Sequence, residues 1–183
     1  MLQVAGQSVF LVGPMGSGKT AVGRLLARQL GYSFVDSDAE IEARTGVDIP
    51  FIFEKEGEEG FREREREVID ELTRRPGIVL ATGGGAVVTG ANREHLASRG
   101  IVVYLETSVD QQLQRTRRSA NRPLLFTEDP RGRLAALLAV REPLYRSIAA
   151  ITVCTNGRKV AAVTEEVAER LQEWRPGASA REA

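Results

Sequence analysis

The sequence predicts an α/β fold, a parallel sheet of about five strands covered by helices on both faces. Two observations predict it. Five short runs rich in Val, Ile and aromatic residues, "SVFLVG", "YSFVD", "GIVLATG", "IVVYLET" and "AITVCT", alternate with longer amphipathic segments. These runs are apolar at consecutive positions, as in strands buried on both faces. Such strands belong to parallel sheets joined by right-handed helical crossovers. A chain of 183 residues, 42% hydrophobic and 27% charged, suits one globular domain with a core of its own.

The first strand runs into "GPMGSGKT", Gly13 to Thr20, which matches the phosphate-binding loop G-x-x-x-x-G-K-[ST]. An amphipathic helix over Lys19–Leu30 follows, with Val22, Leu25, Leu26 and Leu30 on one stripe. Gly16 and Gly18 let consecutive backbone N–H groups curl around phosphate oxygens, and the helix adds its positive dipole end. Lys19 reaches the β and γ phosphates, and the Thr20 hydroxyl suits Mg²⁺. Gly13, Gly16, Ser17, Gly18, Lys19 and Thr20 therefore form a candidate site for a nucleoside triphosphate.

The second strand closes in "VDSDAEIE". Asp36 and Asp38 stand two apart at its C-terminal end, where the ligand crevice of a parallel sheet lies. In extended chain both carboxylates share one side. One suits a water of a Mg²⁺ shell and the other a substrate hydroxyl. Alternatively, Asp36 or Ser37 caps the next helix. A further helix is predicted over Gly60–Arg74, with Phe61, Glu65, Val68, Ile69 and Leu72 on one stripe. Its alternating Arg and Glu residues have the pattern of a solvated face. Glu65 departs from it, because a carboxylate on the inward stripe needs a cation.

The third strand ends in Gly83, Gly84 and Gly85. Three adjacent glycines cost more backbone entropy than a turn requires. The run points to a backbone that approaches a ligand closely. His95, the only histidine, falls on a predicted surface helix. After the fourth strand, "RRSANRPLLFTEDPRGR" combines Pro123, Pro130 and Gly132 with several arginines and predicts a mobile lid over about 117–133. Helices are predicted over Arg133–Tyr145, interrupted by Pro143 just after Arg141, and over Val160–Trp174. Cys154, in the fifth strand between them, is expected to be buried and inert. The domain is expected to span 1–175, with a frayed tail over 176–183.

Lys plus Arg and Asp plus Glu both number 25, so no net field favours nucleic acid or an anionic membrane. A single cysteine allows no intrachain disulfide and fits a reducing compartment. No apolar stretch reaches the length of a membrane span. A cytoplasmic monomer with neither nucleic acid nor membrane as partner is expected.

Taken together, "GPMGSGKT", "DSDAEIE", "GEEGFREREREVI", "VLATGGGAV", "NRPLL" and "REPLY" resemble, in order and spacing, the motifs of shikimate kinases. The resemblance runs from about Ser8 to about Leu171. It implies a P-loop three-layer sandwich like that of the nucleoside monophosphate kinases, with a mobile lid. It implies transfer of the γ-phosphate of ATP, with Mg²⁺, to the 3-hydroxyl of shikimate, a step toward chorismate and the aromatic amino acids. By the same resemblance Arg62 and Arg141 clamp the shikimate carboxylate and Glu65 orients the arginines. Asp38 takes the ring hydroxyls and is the candidate base, while Asp36 belongs to the Mg²⁺ shell. Phe53 and Phe61 line an apolar wall. Gly83, Gly84 and Gly85 lie against shikimate, and a side chain at Gly84 would occupy the space of the ring. Arg122, in the lid, folds over the phosphates as a catalytic group beside Lys19 and Asp38, and Arg115 and Arg158 flank the adenine. Two other readings share parts of this pattern. A kinase for another small polyol acid, such as gluconate, has no need of Arg62 and Arg141 together with the triple glycine. A nucleotide-binding module without turnover has no need of Asp36, Asp38 and Arg122.

Overall fold

A computed structural model of the chain describes residues 6–116 and 128–174. Five parallel strands, β1 (Val9–Val12), β2 (Ser33–Asp36), β3 (Ile78–Ala81), β4 (Ile101–Glu106) and β5 (Ile151–Cys154), form one sheet in the order β2-β3-β1-β4-β5. All five coincide with the apolar runs. The order sets β1 beside β3, with Val9 opposite Val79 and Leu11 opposite Ala81. The two glycine-rich loops that follow these strands therefore leave the same edge of the sheet side by side.

Helices cover both faces. On one lie α1 (Lys19–Leu30) and α7 (Val160–Glu173), whose Val22, Leu26, Val163, Val167 and Leu171 meet Val9, Leu11, Val79 and Val103. On the other lie α2 (Ser37–Thr45), α3 (Ile49–Leu72), α4 (Gly90–Arg99) and α6 (Pro130–Ile148). Their Ile41, Ile69, Leu72, Leu96 and Tyr145 meet Phe10, Val12, Leu80 and Tyr104. Alternate residues of one strand thus enter opposite cores, which is why the runs are apolar throughout. A short helix, α5 (Val109–Thr116), follows β4. Among the described residues no helix is long and apolar enough to cross a membrane.

The structure departs from the sequence reading in several places. α3 begins at Ile49, eleven residues before the predicted Gly60. Asp48 caps it by accepting from the Phe51 N–H at 2.9 Å, and Gly57, with a φ of 71°, joins its two helical stretches. The glycine takes a left-handed conformation that other residues resist. Residues 117–127 of the expected lid, Arg122 among them, lie outside the described residues, as do 175–183. Pro130 to Arg133 of the expected lid form the first turn of α6, capped by Asp129. Pro143 does not end α6, which continues to Ile148. The missing N–H forfeits one backbone bond, but Tyr145 beyond it is fully buried in the core and holds the helix on course. β2 is an edge strand and only half-buried. Cys154 is exposed, not buried. β5 is the other edge, and while Ile151 and Val153 face α7, Cys154 points to the opposite side.

Candidate active site

The loop from Gly13 to Gly18 is shaped by glycines at left-handed angles, with φ of 76° at Gly16 and 93° at Gly18. At Gly13 a Cβ would lie 2.6 Å from the Leu105 carbonyl oxygen, so only glycine lets the loop pass β4. Lys19 Nζ folds back over the loop and donates to the carbonyls of Gly13 at 2.7 Å and Pro14 at 2.9 Å. Ser17 is buried within the loop.

Beside this loop, Asp36 serves both uses read from the sequence. Its Oδ1 caps α2, accepting from the N–H groups of Asp38 at 3.1 Å and Ala39 at 3.4 Å. Its Oδ2 accepts from the Thr20 hydroxyl at 2.9 Å. Asp38 is not in extended chain. It sits in the first turn of α2, and it is the helix start rather than a strand that brings its carboxylate to the same cavity. The Ser37 hydroxyl, absent from the sequence reading except as a cap, accepts from the Gly83 N–H at 3.0 Å.

A cavity of about 640 Å³ opens here. It is lined on the loop side by Met15, Gly16, Gly18, Lys19, Thr20 and Arg115, and on the far side by Asp38, Phe53, Phe61, Arg62, Glu65 and Arg141. Asp36, Thr82, Gly83, Gly84 and Gly85 join the two halves. The rings of Phe53 and Phe61 lie 4.8 Å apart and form the apolar wall. Arg62 Nη1 donates to Glu65 Oε2 at 2.7 Å and Nη2 to Glu58 Oε1 at 3.1 Å. Arg141 is buried, 8% exposed, on the cavity face of α6.

Asp38 Oδ1, Arg62 Nε and Glu65 Oε1 are buried and bond to no described residue. Burial pushes the Asp38 carboxyl up to about 6, helped by the Asp36 charge and opposed by Lys19. Burial likewise pushes Glu65 up to about 7, although the Arg62 guanidinium pulls the other way. In Glu65 the ion pair with Arg62 replaces only part of the lost hydration. The result is a cavity with two arginines and two carboxyl groups raised by burial, next to a phosphate-binding loop.

All three glycines of the run line the cavity. Gly85 has a φ of −97°, and Gly83 and Gly84 also lack the left-handed angle, so conformational freedom is not what the run supplies. A Cβ at Gly83 would lie 2.6 Å from Asp38 Oδ1 and 3.0 Å from Glu65 Oε1. One at Gly85 would lie 2.7 Å from Arg62 Nη1. One at Gly84 would lie 3.3 Å from the Met15 nitrogen, on the side of the phosphate loop. Gly83 and Gly85 make room for the protein's own charged side chains.

Arg115 reaches the loop from α5, donating to the Gly16 carbonyl at 2.9 Å and to Thr155 Oγ1 and carbonyl at 3.2 and 2.8 Å. Arg158 is not brought to the cavity. It donates to the Cys154 and Ala162 carbonyls at 3.0 and 3.2 Å and pairs with Glu166. Tyr145, which the sequence reading passed over, donates its hydroxyl to the Gly84 carbonyl. Its place in "REPLY", one helical turn from Arg141, was the available signal.

A sequence model of the shikimate kinase family matches residues 15–172. The chain belongs to the shikimate kinase family. It is 61% identical over 164 residues to a shikimate kinase of Halorhodospira halophila, which covers 90% of this chain and 93% of the relative. Its structure resembles that of a shikimate kinase from Acinetobacter baumannii in complex with shikimate, with a TM-score of 0.89 and 54% identity over 91% of this chain and 93% of the other. A gluconokinase from Sinorhizobium meliloti also superposes, with a TM-score of 0.61 over 92% and 93% of the two chains. At 20% identity that likeness shows the P-loop kinase fold alone. The shikimate kinase fold thus places its glycine loops, its arginines and its carboxylates around one cavity.

Proposed function

We propose that this chain transfers the γ-phosphate of ATP to the 3-hydroxyl of shikimate, releasing ADP and shikimate 3-phosphate. The observation that carries the reading is the far half of the cavity. Arg62 and Arg141 offer planar guanidinium forks to a carboxylate, Asp38 Oδ1 offers an acceptor to hydroxyls, and two aromatic rings offer a wall to a carbon ring. ATP enters with its phosphates against the N–H groups of the loop. Lys19 exchanges its carbonyl partners for the β and γ phosphates.

Asp38 accepts the proton of the attacking hydroxyl. Its raised carboxyl is a stronger base than an ordinary aspartate, and it is ionised above a pH of about 6. Glu65 holds Arg62 toward the cavity through their ion pair. Two oxygen donors side by side, Thr20 Oγ1 and Asp36 Oδ2, fit a hard cation whose other ligands are phosphate oxygens and water. These residues would hold Mg²⁺, whose chemistry is to neutralise charge on the β and γ oxygens. Among the described residues no cluster of three or more His, Cys, Asp or Glu offers a cage of its own. We assign Arg122 to the charge that builds between donor and acceptor, and Arg115 to the nucleotide side. We place this activity in a monomer in the cytoplasm, where ATP and small acids meet.

The test is ADP release by the purified protein with ATP and Mg²⁺, with and without shikimate, and with gluconate in its place. Shikimate-dependent release is expected. Faster turnover of gluconate, or ADP release indifferent to either acid, would overturn the reading.

A further inference from the structure

The Tyr145 hydroxyl stands between two parts of the cavity wall, the triple glycine and Arg141. It donates to the Gly84 carbonyl, in the middle of the triple glycine. Arg141 lies one turn earlier on α6, at the i,i+4 spacing that puts two side chains on one face. Its guanidinium is near enough to the phenol to favour the phenolate, although burial outweighs it and holds the tyrosine proton firmly. Tyr145 is fully buried, its ring stacked on Tyr104 with centroids 5.1 Å apart. Nothing of it lines the large cavity.

A peptide unit is planar and trans, so its C=O and N–H point in opposite directions. A Gly84 carbonyl held by Tyr145 therefore turns the Gly85 N–H away from Tyr145, on a turn whose other side lines the cavity. No described acceptor takes that N–H in a turn or loop bond. The Ala86 N–H donates to the Gly83 carbonyl at 3.1 Å and closes a turn around this peptide, and between two glycines the central peptide of such a turn flips at little steric cost.

We infer that Tyr145 is a positioning residue for the acceptor site, fixing the Gly84–Gly85 peptide so that its N–H faces the acceptor and setting the Arg141 side chain beside it. Tyr145 itself touches neither substrate. The inference rests on the proposed function and deepens it. It separates Tyr145 from Tyr104, whose own hydroxyl is buried but bonds to no described residue.

The test compares Tyr145→Phe with Tyr104→Phe. Each removes one oxygen and keeps the stacked rings, and thermal melts are the check that both fold. Tyr145→Phe is expected to raise KM for shikimate roughly 3- to 10-fold, the span of a net hydrogen bond converted at tenfold per 1.36 kcal/mol. KM for ATP should stay within about twofold by the same scale. Tyr104→Phe should leave KM for shikimate unchanged. Calorimetric binding of shikimate should weaken in step with KM in the first variant only. A purely structural tyrosine would lower the melting temperature and the active fraction, so a fall in kcat at unchanged KM overturns the inference. Equal shifts in both variants overturn it as well. Absence of shikimate turnover in the wild type would instead strike at the proposed function.

Discussion

Replacing Asp38 by asparagine should abolish transfer and make the protein more stable, by an amount that depends on pH. The carboxyl rises from an ordinary 3.8 to about 6 in the folded chain, chiefly through burial. Each pKa unit is worth 1.36 kcal/mol, so ionising Asp38 at pH 8 costs the folded state up to about 3 kcal/mol. Structural relaxation and the partial exposure of the side chain reduce this to about 1–2 kcal/mol. The sign follows from proton counting. The folded carboxyl keeps its proton to higher pH than the unfolded one, so the folded state binds more protons between about pH 4 and 6. Wild type therefore loses this stability as pH rises through that window, and the asparagine variant does not. At about 2–4 °C per kcal/mol for a domain of this size, the variant should melt roughly 2–8 °C higher at pH 8. Near pH 4 the two melting points should converge. Glu65 titrates in both proteins and largely cancels. The assay is thermal unfolding by circular dichroism at pH 4.5, 6 and 8, with turnover measured alongside. An asparagine variant no more stable than wild type at pH 8, or a gain equal at all three pH values, would refute the claim that the site is built at the expense of the fold.

Other outcomes follow from the same geometry. Activity at subsaturating shikimate should fall about tenfold per pH unit below a pH near 6, as Asp38 takes up its proton, and a profile flat down to pH 5 would remove Asp38 as the base. Arg141→Lys keeps the charge but loses the fork, so kcat/KM for shikimate should drop about 10- to 150-fold, with ATP binding in the absence of shikimate unchanged. A shikimate analogue without its carboxylate should be used poorly by wild type and be nearly indifferent to that substitution. Gly85→Ala places a methyl against the Arg62 guanidinium and should raise KM for shikimate while sparing KM for ATP, and titrations of the two substrates separate these effects.

The parts of the molecule legible in the sequence are those governed by local chemistry. The five strands announced themselves because each is short and apolar at consecutive positions. The phosphate loop did so because its angles require glycine at Gly16 and Gly18 wherever the rest of the chain goes. Where neighbours distant in sequence decide, the reading failed. Pro143 signals a break, yet the burial of Tyr145 carries α6 past it. Cys154 sits in a strand-like run, yet its exposure depends on β5 being an edge. The start of α3 was hidden because "FEKEGEEG" has no apolar period and Gly57 interrupts it. Glu65 could be singled out by its place on the stripe, but not the fact that its free oxygen would stand beside Asp38.

The triple glycine shows how these levels join. Read locally, three glycines imply freedom of the backbone or room for a ligand. In the fold their angles are ordinary, and the room is taken by Asp38, Glu65 and Arg62, which reach in from α2 and α3. Two carboxylates and a guanidinium are thereby brought together in a space too tight for a single methyl, with Asp38 Oδ1, Glu65 Oε1 and Arg62 Nε bonded to nothing among the described residues. Burying these charges works against the fold, as the raised carboxyl groups of Asp38 and Glu65 show. That cost is carried by the sheet and its two apolar cores, which pack β1 and β3 with no exposure at Val9, Phe10, Leu11, Val79 and Leu80. Rigid strands bring the two loops together, and the absent side chains let the charges approach. A small acid bearing hydroxyls and a carboxylate offers hydrogen bonds to these groups. Discrimination in this site therefore rests on these charged and polar groups as well as on the shape of the cavity.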